Sequence, residues 1–313
     1  MQCDESLKKK ENSNTIAPTE DSTAKITRIP EWLRRDSSSS ESTRELKKLL
    51  RTHSLNTVCE EARCPNISEC FSHGTATFMI LGDICTRGCR FCSVITGKPT
   101  MSQNDFKKEA SEIVKAISIM KLKYAVITSV ARDDLSDGGA SGFVHTIKAI
   151  QDKLPSVKIE VLIPDLRGNW DSLQKIVEAK PNVLNHNIET VPRLYRRVRP
   201  GATLARSLEL LKTTKLLDDS IKTKTGVMLG LGEKREEVEQ VMRESAANFV
   251  DIFTAGQYMQ PSRTHLPVDR YLDPAEFEDL AKFARSNNLF KEVYMGPLVR
   301  SSYHAGEVAS TII

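Results

Sequence analysis

Apolar positions along this chain follow two alternating rhythms. Six short runs, rich in β-branched residues, have the length of buried strands: TATFMILG (75–82), YAVITSV (124–130), VKIEVLI (157–163), NVLNHNI (182–188), KTKTGVMLGL (222–231) and VDIFTAGQ (250–257). Between them lie segments with helical spacing. In DFKKEASEIVKAISIM (105–120), Ile113, Ile117 and Met120 share one face; SGFVHTIKAIQDK (141–153), DSLQKIVEA (171–179), LARSLELLKTTKLL (204–217) and REEVEQVMRESAAN (235–248) behave alike. DPAEFEDLAKFARSNN (273–288) closes the series, with Asp273 as cap and Pro274 in the first turn. Alternation about every thirty residues predicts a parallel sheet covered by helices. The expected fold class is α/β, a partial parallel (β/α)6 TIM-like barrel over residues 75–290.

The flanks read differently. Residues 1–28 form a polar tail with the composition of a disordered segment. IPEWLRR (29–35) predicts a short helix or a docking segment, DSSSSEST (36–43) a link or helix cap, and RELKKLLRTHSL (44–55) an amphipathic helix. Residues 29–74 and 291–313 are expected to be N- and C-terminal extensions over the barrel mouth.

Composition narrows the class without deciding it. The length of 313 residues suits one large α/β domain or two ordinary ones, and no run approaches the roughly 18 apolar residues of a membrane span. The net charge of +4 is spread along the chain, so charge alone does not indicate nucleic acid. The first residues, MQCDESLKKKENSN, lack an apolar signal core. Residues 1–24 hold Asp4, Glu5, Glu11, Glu20 and Asp21 and no arginine, unlike a mitochondrial transit peptide. A reducing, cytoplasmic location is expected.

Cysteines change the picture. Six of the seven fall between residues 59 and 92, with Cys3 alone near the start. CTRGCRFC (85–92) places Cys85, Cys89 and Cys92 as C-x3-C-x2-C; CEEARCPNISEC (59–70) places Cys59, Cys64 and Cys70 as C-x4-C-x5-C. Neither triplet has a fourth thiol. A disulfide framework belongs to short secreted chains, and paired zinc sites would need His53 and His73 to complete them. Three thiolates on one loop suit a cubic iron–sulfur cluster whose fourth iron stays open to a ligand.

CTRGCRFC directly follows the first strand, at the carboxyl end where barrel sites lie. Polar residues after the other strands should converge on it. They are Arg132, Asp133, Asp134, Gly138 and Gly139; Asp165 and Arg167; Asn185, His186, Asn187 and Glu189; Arg196, Arg197 and Arg199; and Gln257, Tyr258, Gln260 and His265. Any one of them alone reads as a solvated loop end; their recurrence after several apolar strands points to a shared site. GLGEKR (230–235) has Arg235 where a dinucleotide fingerprint needs glycine, no Walker loop is present, and His186 lacks a hydrolase arrangement.

The C-x3-C-x2-C loop after a first barrel strand, with Phe91 before the last cysteine, resembles the radical S-adenosylmethionine (SAM) superfamily. CEEARCPNISEC, NHNIETVPRLYRRVRPGA and GPLVRSSYHAGE together look like the lipoyl synthase family, over residues from about 30 to 308. The loop specifies only the superfamily, whereas the upstream triplet with RSSYHA is far more specific. The resemblance implies a sulfurtransferase that inserts two sulfur atoms, at carbons 6 and 8, into a protein-bound N6-octanoyl-lysine to give N6-lipoyl-lysine. It implies two 4Fe–4S clusters and two SAM molecules per turnover. Cys85, Cys89 and Cys92 would hold the SAM-cleaving cluster. Cys59, Cys64 and Cys70 would hold a sacrificial auxiliary cluster, with a serine of RSSY as its further ligand. The residues leave Ser301 and Ser302 open; the family pattern points to Ser302. Phe91 would pack near adenine, Gly138 and Gly139 would admit the methionine end, and Asn187, Glu189 and Arg199 would hold polar groups of SAM.

Implied partners are octanoylated carrier domains (the glycine cleavage H protein and the E2 subunits of 2-oxoacid dehydrogenases) and an electron donor such as flavodoxin or ferredoxin. Neither nucleic acid nor membrane is expected, and the chain should be a monomer. Among other sulfur inserters, biotin synthase needs different second-cluster ligands, and methylthiotransferases carry an RNA-binding domain for which there is no room. A two-cluster ferredoxin would need eight cysteines.

Overall fold

A computed structural model describes residues 28–34, 48, 56–57, 66, 69–70, 75–303 and 305–310. The expected tail, the serine-rich link and the amphipathic segment at 44–55, Lys48 apart, lie outside the described residues, as do Cys59 and Cys64. Of IPEWLRR, Glu31–Leu33 form one 3-10 turn.

Eight strands form the main sheet: β1 (Asn56–Thr57), β2 (Thr75–Ile80), β5 (Tyr124–Ser129), β6 (Lys158–Leu162), β7 (Val183–Asn185), β8 (Lys222–Leu229), β9 (Ile252–Gln257) and β10 (Glu292–Met295), in that spatial order. All neighbours from β2 to β10 pair in parallel, and β1 adds an antiparallel edge. The order does not return on itself, so the barrel is partial. β3 (Ile84–Cys85) and β4 (Ile95–Thr96) form a separate parallel pair within the cysteine loop. The six expected strands are present. β10 is a seventh parallel strand that the hydrophobic pattern does not reveal, because it is four residues long and only Val293 is buried. The segment 291–313 thus begins inside the sheet.

Helices α1 (Phe106–Ile119), α2 (Ala140–Lys153), α3 (Trp170–Glu178), α4 (Tyr195–Val198), α5 (Leu204–Leu217), α6 (Arg235–Ala247) and α7 (Pro274–Ser286) follow the sheet strands. All but the four-residue α4, which reads from sequence as a loop, match the predicted spacing to within a few residues. α7 starts as expected: the Asp273 carboxylate accepts from the Ala275 amide, Glu276 completes a capping box, and Pro274 opens the helix. Strand alternation sorts the side chains. Phe78, Ile80, Ala125, Ile127, Ile159 and Val161 pack outward in the core beneath the helices. Thr77, Met79, Thr128, Leu162, Gly226, Met228, Thr254 and Gly256 line an internal cavity.

One layer nearer the strand starts, the barrel is closed by a charged floor. Lys224 Nζ lies 3.0 and 3.2 Å from the two Glu160 oxygens, and Tyr124 Oη (2.8 Å) and Asn185 Nδ2 (2.9 Å) also donate to that carboxylate. Both charges are sequestered from water, so the pair is tolerated because its hydrogen bonds are filled. Beside it, Ala305 of α8 (Ala305–Ser310) is buried with Tyr124, Val126 and Val183. The chain therefore returns from β10 into the barrel. On the way the Gln257 amide donates to the Pro297 carbonyl (3.2 Å) and Val299 rests against Gly256. This C-terminal strap also gathers the N-terminal extension: Asn66 Nδ2 donates to the Leu298 carbonyl (2.6 Å), and Tyr303 Oη to Glu69 (2.8 Å).

Candidate active site

The cysteine loop is sewn to several strand ends. Cys85 ends β3; its sulfur accepts from the Ala131 amide (3.3 Å) after β5 and from the Arg87 amide (3.4 Å). The Thr86 amide donates to the Ala131 carbonyl, Arg90 to Val198 of α4, and Leu266 to Arg90. A ring nitrogen of His265 lies 3.0 Å from the Cys92 carbonyl. Arg87 anchors the whole loop: its guanidinium makes a bidentate pair with Asp133 (2.7 and 2.8 Å) and reaches Asp165 at 2.6 Å. Asp165 is fully buried and also meets Arg206 at 3.1 Å. Burial alone would raise its carboxyl, yet Arg87 holds it down to about 2.

The cavity of about 570 Å³ at the strand ends is lined by all three loop cysteines and Phe91, by Asn187, Glu189 and Arg199, and by Cys70, Ser301 and Ser302. Residues far apart in the chain, from the upstream cysteine segment to the RSSY strap, thus share one chamber. Burial pushes the Cys89 thiol up to about 11, against the pull of Arg199, and raises Cys92 as well. These thiols hold their protons until a metal displaces them. Burial also raises the Glu189 carboxyl, with Arg199 pulling the other way. Arg199 Nη1 donates to the carbonyls of Asn187 (2.6 Å) and Ile188 (3.2 Å), which ties the guanidinium to the end of β7.

Among the described residues, no three potential ligands converge on one point as a single metal ion requires. A cubic cluster asks less, since each thiolate holds a different iron. Four buried polar atoms of the described lining residues have no hydrogen-bond partner: Asn66 Oδ1, Ser129 Oγ and, at the β7 end, Asn187 Oδ1 and Arg199 Nε. Buried polar groups are normally satisfied, so the last two, an acceptor and a donor, fit a polar ligand such as the amino-acid and ribose groups of SAM. Gly226 on the lining lacks a side chain because a Cβ there would strike Thr254 Oγ1 on β9 and also come within 3.3 Å of Asn187 Oδ1.

Other predicted residues are off the cavity or spend their polar atoms on structure. Gly138 and Gly139 are not on the cavity lining. They begin α2 with φ of 61° and 89°, and a Cβ on Gly139 would strike Leu81, so their lack of a side chain serves helix–sheet packing. Asn185 belongs to the floor. Arg132 is buried against Asp134 and donates to the carbonyls of Leu81 and Met101. His186 borders the cavity, but both its ring nitrogens are taken, by the Ile163 carbonyl (2.8 Å) and by the buried Ser207 Oγ (2.9 Å), and burial pushes it down to about 4. Arg167, Arg196 and Arg197 are exposed and off the lining. Gln257 and Tyr258 line the cavity but spend their polar atoms on the loop at 266–272. Sequence reasoning missed Arg87, whose place inside CTRGCRFC was the available signal, and Asn66 and Tyr303, which had none.

A family model described as the Radical SAM superfamily matches residues 79–244. A protein of Coxiella burnetii named "Lipoyl synthase" is 53% identical over 279 residues, covering 89% of this chain and 87% of its own length. Proteins of the same name from Hahella chejuensis (52% identity; 91% and 85% covered) and Pseudoalteromonas atlantica (49%; 95% and 92%) match similarly. Among solved structures, Streptococcus suis SuiB bound to S-adenosylmethionine aligns at a TM-score of 0.53 and 13% identity, over 80% of this chain and 59% of that one. At that identity the likeness concerns the fold alone.

Proposed function

This chain belongs to the lipoyl synthase family of the radical SAM superfamily, and we propose that its chamber holds two 4Fe–4S clusters, one to cleave SAM and one to be consumed as the sulfur source. The reaction is insertion of two sulfur atoms at carbons 6 and 8 of a protein-bound N6-octanoyl-lysine, giving N6-lipoyl-lysine at the expense of two SAM. When bound, the clusters and SAM supply the hydrogen-abstracting 5′-deoxyadenosyl radical and the sulfur.

The chain's own residues bind, orient and shield. Cys85, Cys89 and Cys92 hold the first cluster, with Arg87 fixing their loop against the ends of β5 and β6. Cys59, Cys64, Cys70 and Ser302 hold the second. Phe91 packs near the adenine, and Asn187, Glu189 and Arg199 take the polar groups of SAM. The charged floor and α8 close the far end against water. Residues 29–74 and the strap after β10 act as extensions over the mouth, behind a polar tail at 1–28. The carriers are lipoyl domains of E2 subunits and the H protein of glycine cleavage, the electrons come from a flavodoxin or ferredoxin, and the protein works as a cytoplasmic monomer. No described helix is long and apolar enough to cross a membrane.

The observation that carries this reading is the shared lining: Cys70 and Ser302 face the same cavity as Cys85, Cys89 and Cys92. Anaerobic reconstitution tests it. About eight irons per chain are expected for two four-iron clusters. Alanine at Cys85, Cys89 and Cys92 should halve the iron and abolish 5′-deoxyadenosine; alanine at Cys59, Cys64 and Cys70 should halve the iron and spare it. Identical phenotypes would contradict separate roles.

A further inference from the structure

Many arginines among the described residues have a carboxylate partner: Arg87, Arg132, Arg193, Arg206, Arg235, Arg243, Arg270 and Arg285 each form an ion pair. Arg167 is exposed without one among these residues, away from the cavity. Arg90, Arg196, Arg197 and Arg263 are exposed, and none of the four side chains makes an ion pair among the described residues. These four are neighbours in the fold, although they come from three segments of the sequence. The Arg90 amide donates to Val198, next to Arg197, and the Arg90 carbonyl accepts from Leu266, close after Arg263. All flank residues of the cavity lining: Cys89 and Phe91 beside Arg90, Arg199 beyond Arg197, and Gln260 and Pro261 before Arg263. On the same cysteine loop Ile95 is 63% exposed, next to Val94 of the lining.

We propose that this arginine rim, with Ile95, is the docking surface for the substrate-bearing carrier protein, and that it engages a carboxylate-rich face of the carrier beside its modified lysine. The inference rests on the reading above, in which the acyl chain enters the cavity while still attached to a folded domain. Such a substrate must seat its protein on the rim. Unpaired guanidinium groups there raise the encounter rate with an acidic partner and fix its orientation without occupying the cavity. Ile95, exposed on the same cysteine loop, adds apolar contact area to a small, transient interface. A solvated surface would also expose arginines, but it gives no reason for four unpaired ones to gather at the mouth.

The test compares two substrates on the reconstituted enzyme: an octanoylated carrier domain, and a tripeptide carrying the same octanoyl-lysine. In the variant Arg196→Glu/Arg197→Glu/Arg263→Glu, KM for the carrier domain should rise by about tenfold or more, with tripeptide turnover unchanged. Raising salt from roughly 50 to 300 mM should raise the wild-type KM for the domain and leave the variant's nearly flat. An unchanged KM for the domain would overturn the proposal. RNA binding by the wild type that the variant loses, with the carrier KM unaltered, would make the rim a nucleic-acid surface and overturn it too. If the wild type converts neither substrate, the functional reading fails instead. Calorimetric binding of the domain to wild type and variant then decides the rim: weaker binding by the variant supports it, and equal binding overturns it.

Discussion

Gly256→Ala isolates the coupling between the sheet and the C-terminal strap. Gly256 sits on the inner face of β9, where an added Cβ would collide with the Val299 carbonyl, with the carbonyl carbon at 2.9 Å and Arg300 Nη1 at 3.3 Å. Because the obstacle is backbone, no side-chain rotation relieves it. Restoring an ordinary separation of about 3.5 Å requires the strap to withdraw by on the order of 1 Å. Overpacking of this kind costs roughly 1–3 kcal/mol, which in a domain of this size lowers Tm by only a few degrees. The consequence for chemistry should be larger. Ser302 lies three residues beyond Val299, and a metal–ligand bond tolerates only about 0.2 Å of displacement. The variant should keep the first cluster and its 5′-deoxyadenosine, lose about half its iron, and make little dithiolated product. Gly201→Ala is the control: its φ of 86° imposes backbone strain, yet nothing lies within 4 Å of its added Cβ, so iron and product should stay. Full iron and normal product from Gly256→Ala would refute the claim that the strap positions an auxiliary ligand.

Ser302→Ala should leave 5′-deoxyadenosine formation intact and sharply reduce lipoyl product, and Ser302→Cys, with the softer thiolate, should also impair sulfur release; normal yields from both would move the ligand to Ser301. His186, pushed from 6.5 down to about 4, stays neutral in the folded chain while the unfolded chain takes up a proton below 6.5. Its contribution, full above that pH, is therefore lost as pH falls from 6.5 toward 4: about 1 kcal/mol between pH 7.5 and 5.5. In histidine NMR its ring should not titrate above pH 5, and a midpoint near 6.5 would contradict the burial argument. Lys224→Met leaves Glu160 charged and buried, and should cost about 3–5 kcal/mol in chemical denaturation, most of it recovered by adding Glu160→Gln.

Most of the barrel was legible because its strands are apolar, rich in β-branched residues and separated by amphipathic helices. What escaped was short or non-local. EVYM gives no alternation to read, yet parallel pairing with β9 makes it a strand. The glycine pair at 138–139 looked like a ligand cradle because sequence records the missing side chain and not the neighbour that requires it, here Leu81 and Leu166. Asn185 and His186, next to Asn187 and Glu189, went to structural networks because their partners are distant in sequence: Asn185 bonds Glu160, and His186 meets the Ile163 carbonyl and Ser207, none of which the local pattern reveals. The cysteine loop was visible for the opposite reason: its chemistry is encoded in contiguous spacing and needs no tertiary partner to be read.

The two cysteine segments are supported differently, and the difference follows their proposed fates. The loop at 85–92 is bound to the ends of β5 and β6 through Arg87, whose pairs with Asp133 and the fully buried Asp165 are charge-assisted and shielded from solvent. Moving that loop would strand a buried carboxylate, so it suits a cluster that must return to the same geometry at every turnover. Cys70 is held from another direction. Its amide donates to the Asn66 carbonyl, Asn66 reaches the strap at Leu298, and Glu69 meets Tyr303. In the Asn66–Leu298 and Glu69–Tyr303 bonds both partners lie outside the main sheet, so these bonds tie Cys70 to the barrel only through the strap, which is itself fixed to β9 at Pro297 and to the floor at Ala305. A site whose cluster is dismantled and rebuilt needs fewer direct ties to the barrel than one that persists, and the two-bond link through Asn66 and Glu69 is lighter than the charged anchor of Arg87.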